Sequence, residues 1–405
     1  MNALPPRMQD KLYHDVFLPE ETRGVRQEAR SFAQKEVEPR AHEIGSREEA
    51  VEHFPREVFT LMGQQGLFGL GFPTRYGGRG LQYPMSATTV AIEELAYASN
   101  AVAAIYDVHC ILAGHALLYG SEELRQHYLR PLIAGDRIAA FAVTEPEAGS
   151  DLSPDTVQTV AERKNGGWVV SGRKRFIINA PVADFAVTLC LTEGKLSMLA
   201  LDLKADGVYV GEPDRKTGIK GCLTADLAFD DVFVAEQNLV GQQGKGLRVA
   251  LSALTCGRIA VGATGVGMAQ AAFDEAAAYL SQRRAFGRPV AGFQHWQFEF
   301  AKIATQIENA RNLCYKSALR HDSGVEFPEP EVAMAKQFGT EVGVDTAGVA
   351  LQAFGGYGYM TQLGADGSTY KVEQIYRDAA TARIYEGTNE IQKWLIARQI
   401  FGASS

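Results

Sequence analysis

The feature that most limits what this chain can fold into is a hydrophobic period that changes twice. From about residue 18 to 138, apolar residues recur at helical spacing. Val58, Leu61 and Met62 form one such stripe just after Pro55, a residue suited to a helix start. Gly66 and the Gly69–Gly80 stretch, with Pro73, read as a loop, and Ala-rich helical patterns follow over Met85–Tyr97, Val102–Leu118 and Glu122–Leu132. Between residues 139 and 241 the pattern turns to short β-rich runs, among them Trp168–Val170, Phe185–Leu191, Met198–Leu203 and Leu227–Val234. Asn165-Gly166-Gly167 and Glu193-Gly194-Lys195 punctuate these runs as hairpin turns. Helical periodicity then returns over Leu247–Ala285, Phe293–Ser323 and Glu331–Ala353. The expected fold is α+β: an N-terminal helical domain over 1–138, a middle β domain over 139–241 and a C-terminal helical domain over 242–405. Short, evenly spaced strands predict a small antiparallel barrel or sandwich, and the long C-terminal helices predict a four-helix bundle.

Composition narrows the function. With a net charge of −8 and basic residues spread along 405 positions, nothing calls for nucleic acid or an anionic membrane. The five cysteines are scattered, with no CxxC and no Cys/His metal spacing, so no metal is expected and reduced core thiols are. The opening MNALPPRMQDKLYHDVF has neither the apolar core of a signal peptide nor the character of a transit peptide. No 18-residue apolar run stands out as a membrane span, and the closing Gly-Ala-Ser-Ser is not a peroxisomal address. A cytoplasmic, bacterial-type protein is the expectation.

The chemistry concentrates in Ile384-Tyr385-Glu386-Gly387-Thr388-Asn389-Glu390-Ile391-Gln392. Ile391, Trp394, Leu395 and Ile400 repeat at helical spacing, with Thr388 or Asn389 as a natural N-cap. Glu386 therefore belongs on a loop just outside a helix N-terminus, where the dipole favours its anion while burial would raise its pKa. A carboxylate under two opposed influences suits a general base for a weakly acidic C–H.

Several motifs together give the chain a resemblance to the acyl-CoA dehydrogenase family, from about residue 20 to 402. Leu67-Phe68-Gly69-Leu70 with Pro73–Gly78 is similar to the family's N-terminal helix-to-loop segment. Ala140–Asp151, which contains Thr144-Glu145-Pro146-Glu147-Ala148-Gly149-Ser150-Asp151, resembles its TEPxAGSD signature. Arg283-Arg284-Ala285-Phe286-Gly287, Gln352–Tyr359 and Tyr385-Glu386-Gly387-Thr388 complete the set.

The resemblance implies FAD as cofactor. It places Phe141, Val143, Thr144, Gly149, Ser150, Phe176, Ile177 and Ile178 around the flavin, with Thr388 and Glu390 also against FAD. Arg283, Phe286, Gln294, Gln352, Gly355 and Gly356 would reach the diphosphate and adenine end of a neighbouring subunit's FAD, in a homotetramer built as a pair of dimers. Ser150, Asp107, Thr255, Arg258 and Gly387 would meet the acyl-CoA. Some members carry the base on an early C-terminal helix, but here Leu254-Thr255-Cys256-Gly257-Arg258 has no carboxylate, leaving Glu386 without a rival. Two departures stand out: Ile178 lacks the hydroxyl that commonly meets flavin N5, and Met360–Gln374 reads as a loop insertion. The implied reaction is α,β-desaturation of an acyl thioester, with an electron-transferring flavoprotein as acceptor. Val102, where glutaryl-CoA enzymes carry Arg, and the acidic Asp107 point to a short-to-medium or branched monocarboxylic substrate. A flavin oxidase of the same fold and a non-catalytic flavoprotein or partner subunit are the rival readings.

Overall fold

The computed structural model describes Arg7, Asp15 and residues 17–402. Most of the N-terminal stretch read for targeting, and residues 403–405, lie outside the described residues.

The N-terminal layer is helical. Helix α1 (Glu20–Phe32) packs on α2 (Pro84–Ala98), and α3 (Asn100–Tyr106) follows at once. A single helix was expected over Val102–Leu118. The structure instead widens the coil into i→i+5 turns over Asp107–Gly114 before α4 (His115–Leu117). Such turns rotate the side chains that follow, and they begin at Asp107. Under α2 lies a buried polar knot. Glu93 accepts from Arg311 Nε at 3.0 Å, Tyr315 OH at 2.6 Å and Arg26 Nη2 at 3.3 Å. One carboxylate thereby joins the N-terminal layer to a helix more than two hundred residues later.

Eight strands form one sheet in the middle region: β1 (Ala139–Ala142), β2 (Val160–Lys164), β3 (Gly167–Ile178), β4 (Phe185–Thr192), β5 (Lys195–Asp202), β6 (Val208–Val210), β7 (Thr224–Ala235) and β8 (Leu239–Val240). Their order is β6-β7-β3-β2-β4-β5-β8, with β1 added on β4. Both hairpin turns fall where expected. Gly167 pairs with Lys164, Lys195 pairs with Thr192, and Gly166, Glu193 and Gly194 take the positive φ such turns demand. The antiparallel barrel or sandwich does not form. The sheet is mixed and does not close, because β1 and β2 both run parallel to β4. Each reaches β4 through a long connection, which permits parallel pairing where a hairpin would forbid it.

The C-terminal layer is the bundle: α5 (Gly246–Gln282), α6 (Gln294–Asp322), α7 (Glu331–Phe354), α8 (Lys371–Ala382) and α9 (Asn389–Phe401). Helix α5 was expected to run to Ala285. It stops at Gln282, and Arg284–Ala285 turn back on Arg288–Pro289 around Phe286 and Gly287, both at positive φ. Against the sequence expectation, α5 is by length and composition apolar enough to cross a membrane. Its burial supplies the reason, for it is the core helix between α2 and α7. The α5–α7 crossing is close: a Cβ on Gly265 would lie 2.3 Å from the Gly339 carbonyl oxygen, and one on Gly339 would lie 2.5 Å from that of Gly262. Only glycine permits backbones to meet this way, and the approach brings the Gly257 turn of α5 toward Lys336 of α7.

Candidate active site

Glu386 sits between α8 and α9 in a turn that is strained by design. Its φ is +55° and that of Gly387 is +85°. A non-glycine residue in this region costs about 1–3 kcal/mol and persists only when its surroundings hold it. The holding groups are visible. Thr388 caps α9 by accepting from Ile391 N at 3.3 Å, and Gln392 Nε2 donates to the Gly387 carbonyl at 2.9 Å. Arg258 Nε donates to the Glu386 carbonyl at 3.4 Å, and its Nη1 lies 3.7 Å from Glu329 Oε1. Asn389, the first residue of α9, is tied to α7 through Lys336 Nζ at 3.0 Å and Thr340 Oγ1 at 3.0 Å.

The turn directs the side chain inward. Both Glu386 carboxylate oxygens are buried, and no amide, hydroxyl or cationic donor reaches either among the described residues; the carboxyl of Asp107 is the group that acts on them. One of them occupies the space over Gly257, where a Cβ would lie 2.0 Å from Oε2. The helix position without a side chain is therefore what admits the carboxylate. The group facing it is a second buried carboxyl, Asp107, at the first widened turn after α3. Burial pushes Asp107 well above the usual carboxylate range, and its neighbour's charge adds to this. Burial also raises Glu386, but the Asp107 hydroxyl, Lys336 and Arg258 all favour its anion. Both carboxyls are thus pushed upward, Asp107 the further, while the two cations beside Glu386 oppose the rise there. Lys336 is itself drawn down to about 8 by burial, against the pull of Glu386.

Glu386 and Gly387 open on a cavity of about 120 Å³. From the β side it is lined by Phe141, Val143, Thr144, Gly149, Phe176, Ile177 and Ile178. The sequence thus named the β-face lining almost completely. A register shift between Lys174 and Ile177 on the β3–β7 ladder, with Phe176 at φ +59°, re-aims this end of β3. Phe176 remains 59% exposed, with the Arg175 guanidinium 4.7 Å from its ring centroid. Within the TEPEAGSD stretch, Glu145 is structural. It is buried against Lys174 Nζ at 2.7 Å and accepts from Gln158 N at 2.6 Å, pinning the turn to β3.

Other predicted residues fall elsewhere. Asp107 was expected to line the acyl tail but instead faces the base. Tyr106 and His109, its polar neighbours, are engaged with backbone: Tyr106 OH donates to Leu67 O at 3.1 Å, and His109 bridges Leu132 O at 3.0 Å and Ala139 N at 3.1 Å. Thr255 is buried and bonds back to Leu251 O at 2.8 Å. Ser150, Thr388 and Glu390 do not line the cavity. Val108, Leu112, Leu152, Leu254 and Tyr385 do, and were missed because apolar residues on apolar elements carry no signal of their own. Lys336 was also missed. A lone lysine amid Val332, Ala333 and Ala335 was the available sign.

A second opening, of about 520 Å³, gathers Arg283, Gln352, Gly355 and Gly356, with Tyr279, Tyr357 and Met360. A Cβ on either glycine would meet nothing within 4 Å. Gln294 and Phe286 are exposed outside it, Phe286 at 95%.

Three domain families match in succession: the N-terminal domain of acyl-CoA dehydrogenases over 19–136, the middle domain over 140–232 and the C-terminal domain over 244–401. The chain belongs to the acyl-CoA dehydrogenase family and is an oxidoreductase whose cofactor is FAD. It is 38% identical to an acyl-CoA dehydrogenase of Bacillus subtilis, over 94% of this chain and 98% of that one. It is 36% identical to the caffeyl-CoA reductase-Etf complex subunit CarC of Acetobacterium woodii, again over 94% and 98%. Its fold matches that of butyryl-CoA dehydrogenase from Megasphaera elsdenii with a TM-score of 0.88 and 32% identity, covering 95% of this chain and 98% of that one.

Proposed function

We propose that this protein desaturates a short-to-medium or branched monocarboxylic acyl-CoA at its α,β bond, with Glu386 as the base. One observation carries the reading: a buried carboxylate, set against a second buried carboxyl on Asp107, opens on a cavity whose other wall is the β-face. The residues present fit FAD. Phe176 offers an exposed ring, and Gly355 and Gly356 leave open space, with nothing within 4 Å of where a Cβ would stand. FAD, when bound, supplies the acceptor for the β-hydrogen. The protein does the rest. Glu386 takes the α-proton, and its own backbone N–H, without an acceptor among the described residues, is available to the thioester oxygen as charge develops there. Lys336 and Arg258 favour the anion of the base against the effect of burial. Arg258 also stands beside Gly387, a position suited to an anionic part of the CoA.

The apolar lining and the valine at 102 support a monocarboxylic acyl group, since no cation lines the cavity to pair a second carboxylate. An electron-transferring flavoprotein is the proposed acceptor, in keeping with the Acetobacterium relative's name. That relative is a reductase, and the same site serves the reverse direction if Glu386 returns the proton to the α-carbon. Anaerobic flavin bleaching with acyl-CoAs from C4 to C16, alongside re-oxidation of the reduced protein by the matching enoyl-CoAs, tests both directions. Glutaryl-CoA reacting faster than every monocarboxylic substrate would overturn the substrate class. Rapid oxygen uptake would favour an oxidase, and no bleaching by any acyl-CoA would favour a partner subunit.

A further inference from the structure

The sequence showed no Cys/His spacing suited to a metal, yet folding brings such a set together. His115 lies on α4, Cys256 on α5 and His321 at the end of α6. The Cys256 Sγ stands 3.6 Å from His115 Nε2 and 3.5 Å from His321 Nε2, and one ligand atom from each of the three lies within 4.8 Å of the others. A tetrahedral ion with bonds of about 2.3 Å to sulfur and about 2.0 Å to nitrogen places those atoms roughly 3.5 Å apart. The two sulfur–nitrogen separations are already at that value, so the ion needs no rearrangement on the sulfur edges.

The set is not embedded in solid protein. All three residues line a cavity of about 220 Å³, with Phe72, Thr88, Tyr106 and Ile111 on its other walls. Cys256 is fully buried and both imidazoles are partly so. We propose that His115, Cys256 and His321 bind one zinc-class divalent ion, with the fourth coordination position open to this cavity for a water or a small ligand. Two imidazoles and a thiolate are the donor types that select zinc over hard cations such as magnesium or calcium.

The surroundings support this reading. Each imidazole presents its Nε2 to the Cys256 sulfur, so one ring nitrogen of each is already turned toward a common point. Asp322 and Glu326 act on these rings from the end of α6 and the loop after it. Both carboxylates are fixed by other partners, Asp322 by Ser86 Oγ at 2.6 Å and Glu326 by Tyr119 OH at 2.8 Å. They would offset the positive charge without occupying the ligand positions. The reaction balances simply: the Cys256 S–H bond is lost, a sulfur–metal bond forms, and one proton leaves to solvent. A bare thiol–imidazole hydrogen bond explains the same contacts with no ion, and this is the alternative the test must exclude.

Tag-free, FAD-loaded protein is stripped with a chelator, loaded with zinc sulfate, passed through gel filtration and assayed for metal. One zinc per chain is expected, with one proton released per ion in calorimetry run in two buffers. Cys256→Ala and His321→Asn should each lose the retained zinc while keeping FAD absorbance and the thermal transition. Cobalt(II) added to the wild-type chain provides a readout that needs no variant. A thiolate-to-cobalt charge-transfer band with intense tetrahedral ligand-field bands, to the red of the flavin absorption, supports the site. No retained zinc, zinc retained equally by both variants, or cobalt without a thiolate band overturns it.

Discussion

The Glu386 cavity and the Arg283 opening differ in how complete they are within one chain. In the first, the turn that carries the base is held from several sides: Gln392 on Gly387, Arg258 on the Glu386 carbonyl, and Lys336 on Asn389. Arg283, Gln352, Gly355 and Gly356 are all exposed. The two linings share no residue. The first lining is assembled within one chain, whereas the second is an open surface. That contrast supports, as a proposal, the homotetramer in which FAD bridges a pair of subunits. It also predicts which substitutions act on chemistry and which act on assembly.

The largest effect belongs to the closed cavity. Glu386→Gln should leave FAD and acyl-CoA bound while slowing anaerobic bleaching by roughly 10³ to 10⁴-fold, the usual worth of a positioned base. A rate within tenfold of the parent protein would mean another group takes the proton. Next comes Gly257→Ala. Its new methyl would sit 2.0 Å from Glu386 Oε2, so the carboxylate must move off α5. A displacement near 1 Å costs on the order of 10²-fold in rate. Stopped-flow bleaching at saturating substrate measures it, and an unchanged rate would show that the packed position is not the working one.

These two residues also show what could be read from sequence. Glu386 was legible because its motif carries a cap, a glycine and a carboxylate at fixed spacing. The strand runs and both hairpin turns were legible because period and turn chemistry are local. Gly257 was noticed only as the absence of a carboxylate, and its use as the seat for Glu386 depends on a contact across 129 positions. Asp107 was read as a tail-pocket residue because nothing in the sequence reveals the widened turns that aim it at the base. The open, mixed sheet was missed for the same reason: parallel pairing of β1 and β2 with β4 is set by long connections, not by local pattern.

In the open half, Arg283→Ala should spare the chemistry and weaken assembly. Removing a charge-assisted contact to phosphate corresponds to roughly tenfold weaker FAD binding. If the cofactor bridges subunits, dimer dissociation should rise with FAD loss, because the two equilibria are linked. Light scattering with flavin absorbance across a dilution series reads both together. A monomer carrying full FAD would refute the bridging arrangement, and FAD loss from an intact tetramer would place Arg283 within its own subunit's site.

The smallest effect lies on the boundary between holding the base and tuning it. Neutral Asp107 donates to the Glu386 carboxylate and so favours its anion. Asp107→Leu removes that donor without adding charge, so the Glu386 pKa should rise. The acid limb of kcat/KM should then move upward, with little change on the plateau above it. Stability provides the second readout, with the sign fixed by linkage. The native pKa of Asp107 is raised above its unfolded value, so its contribution is fully present below the unfolded pKa and is lost as pH rises through the native one. Denaturant unfolding should therefore show a shallower decline of stability in Asp107→Leu than in the parent as pH rises from the ordinary carboxylate value of 3.8 toward the raised native one. An acid limb moving downward would mean that Asp107 is ionised beside Glu386 and acts by repulsion. That result would reverse the placement of the shared proton while leaving the base assignment standing.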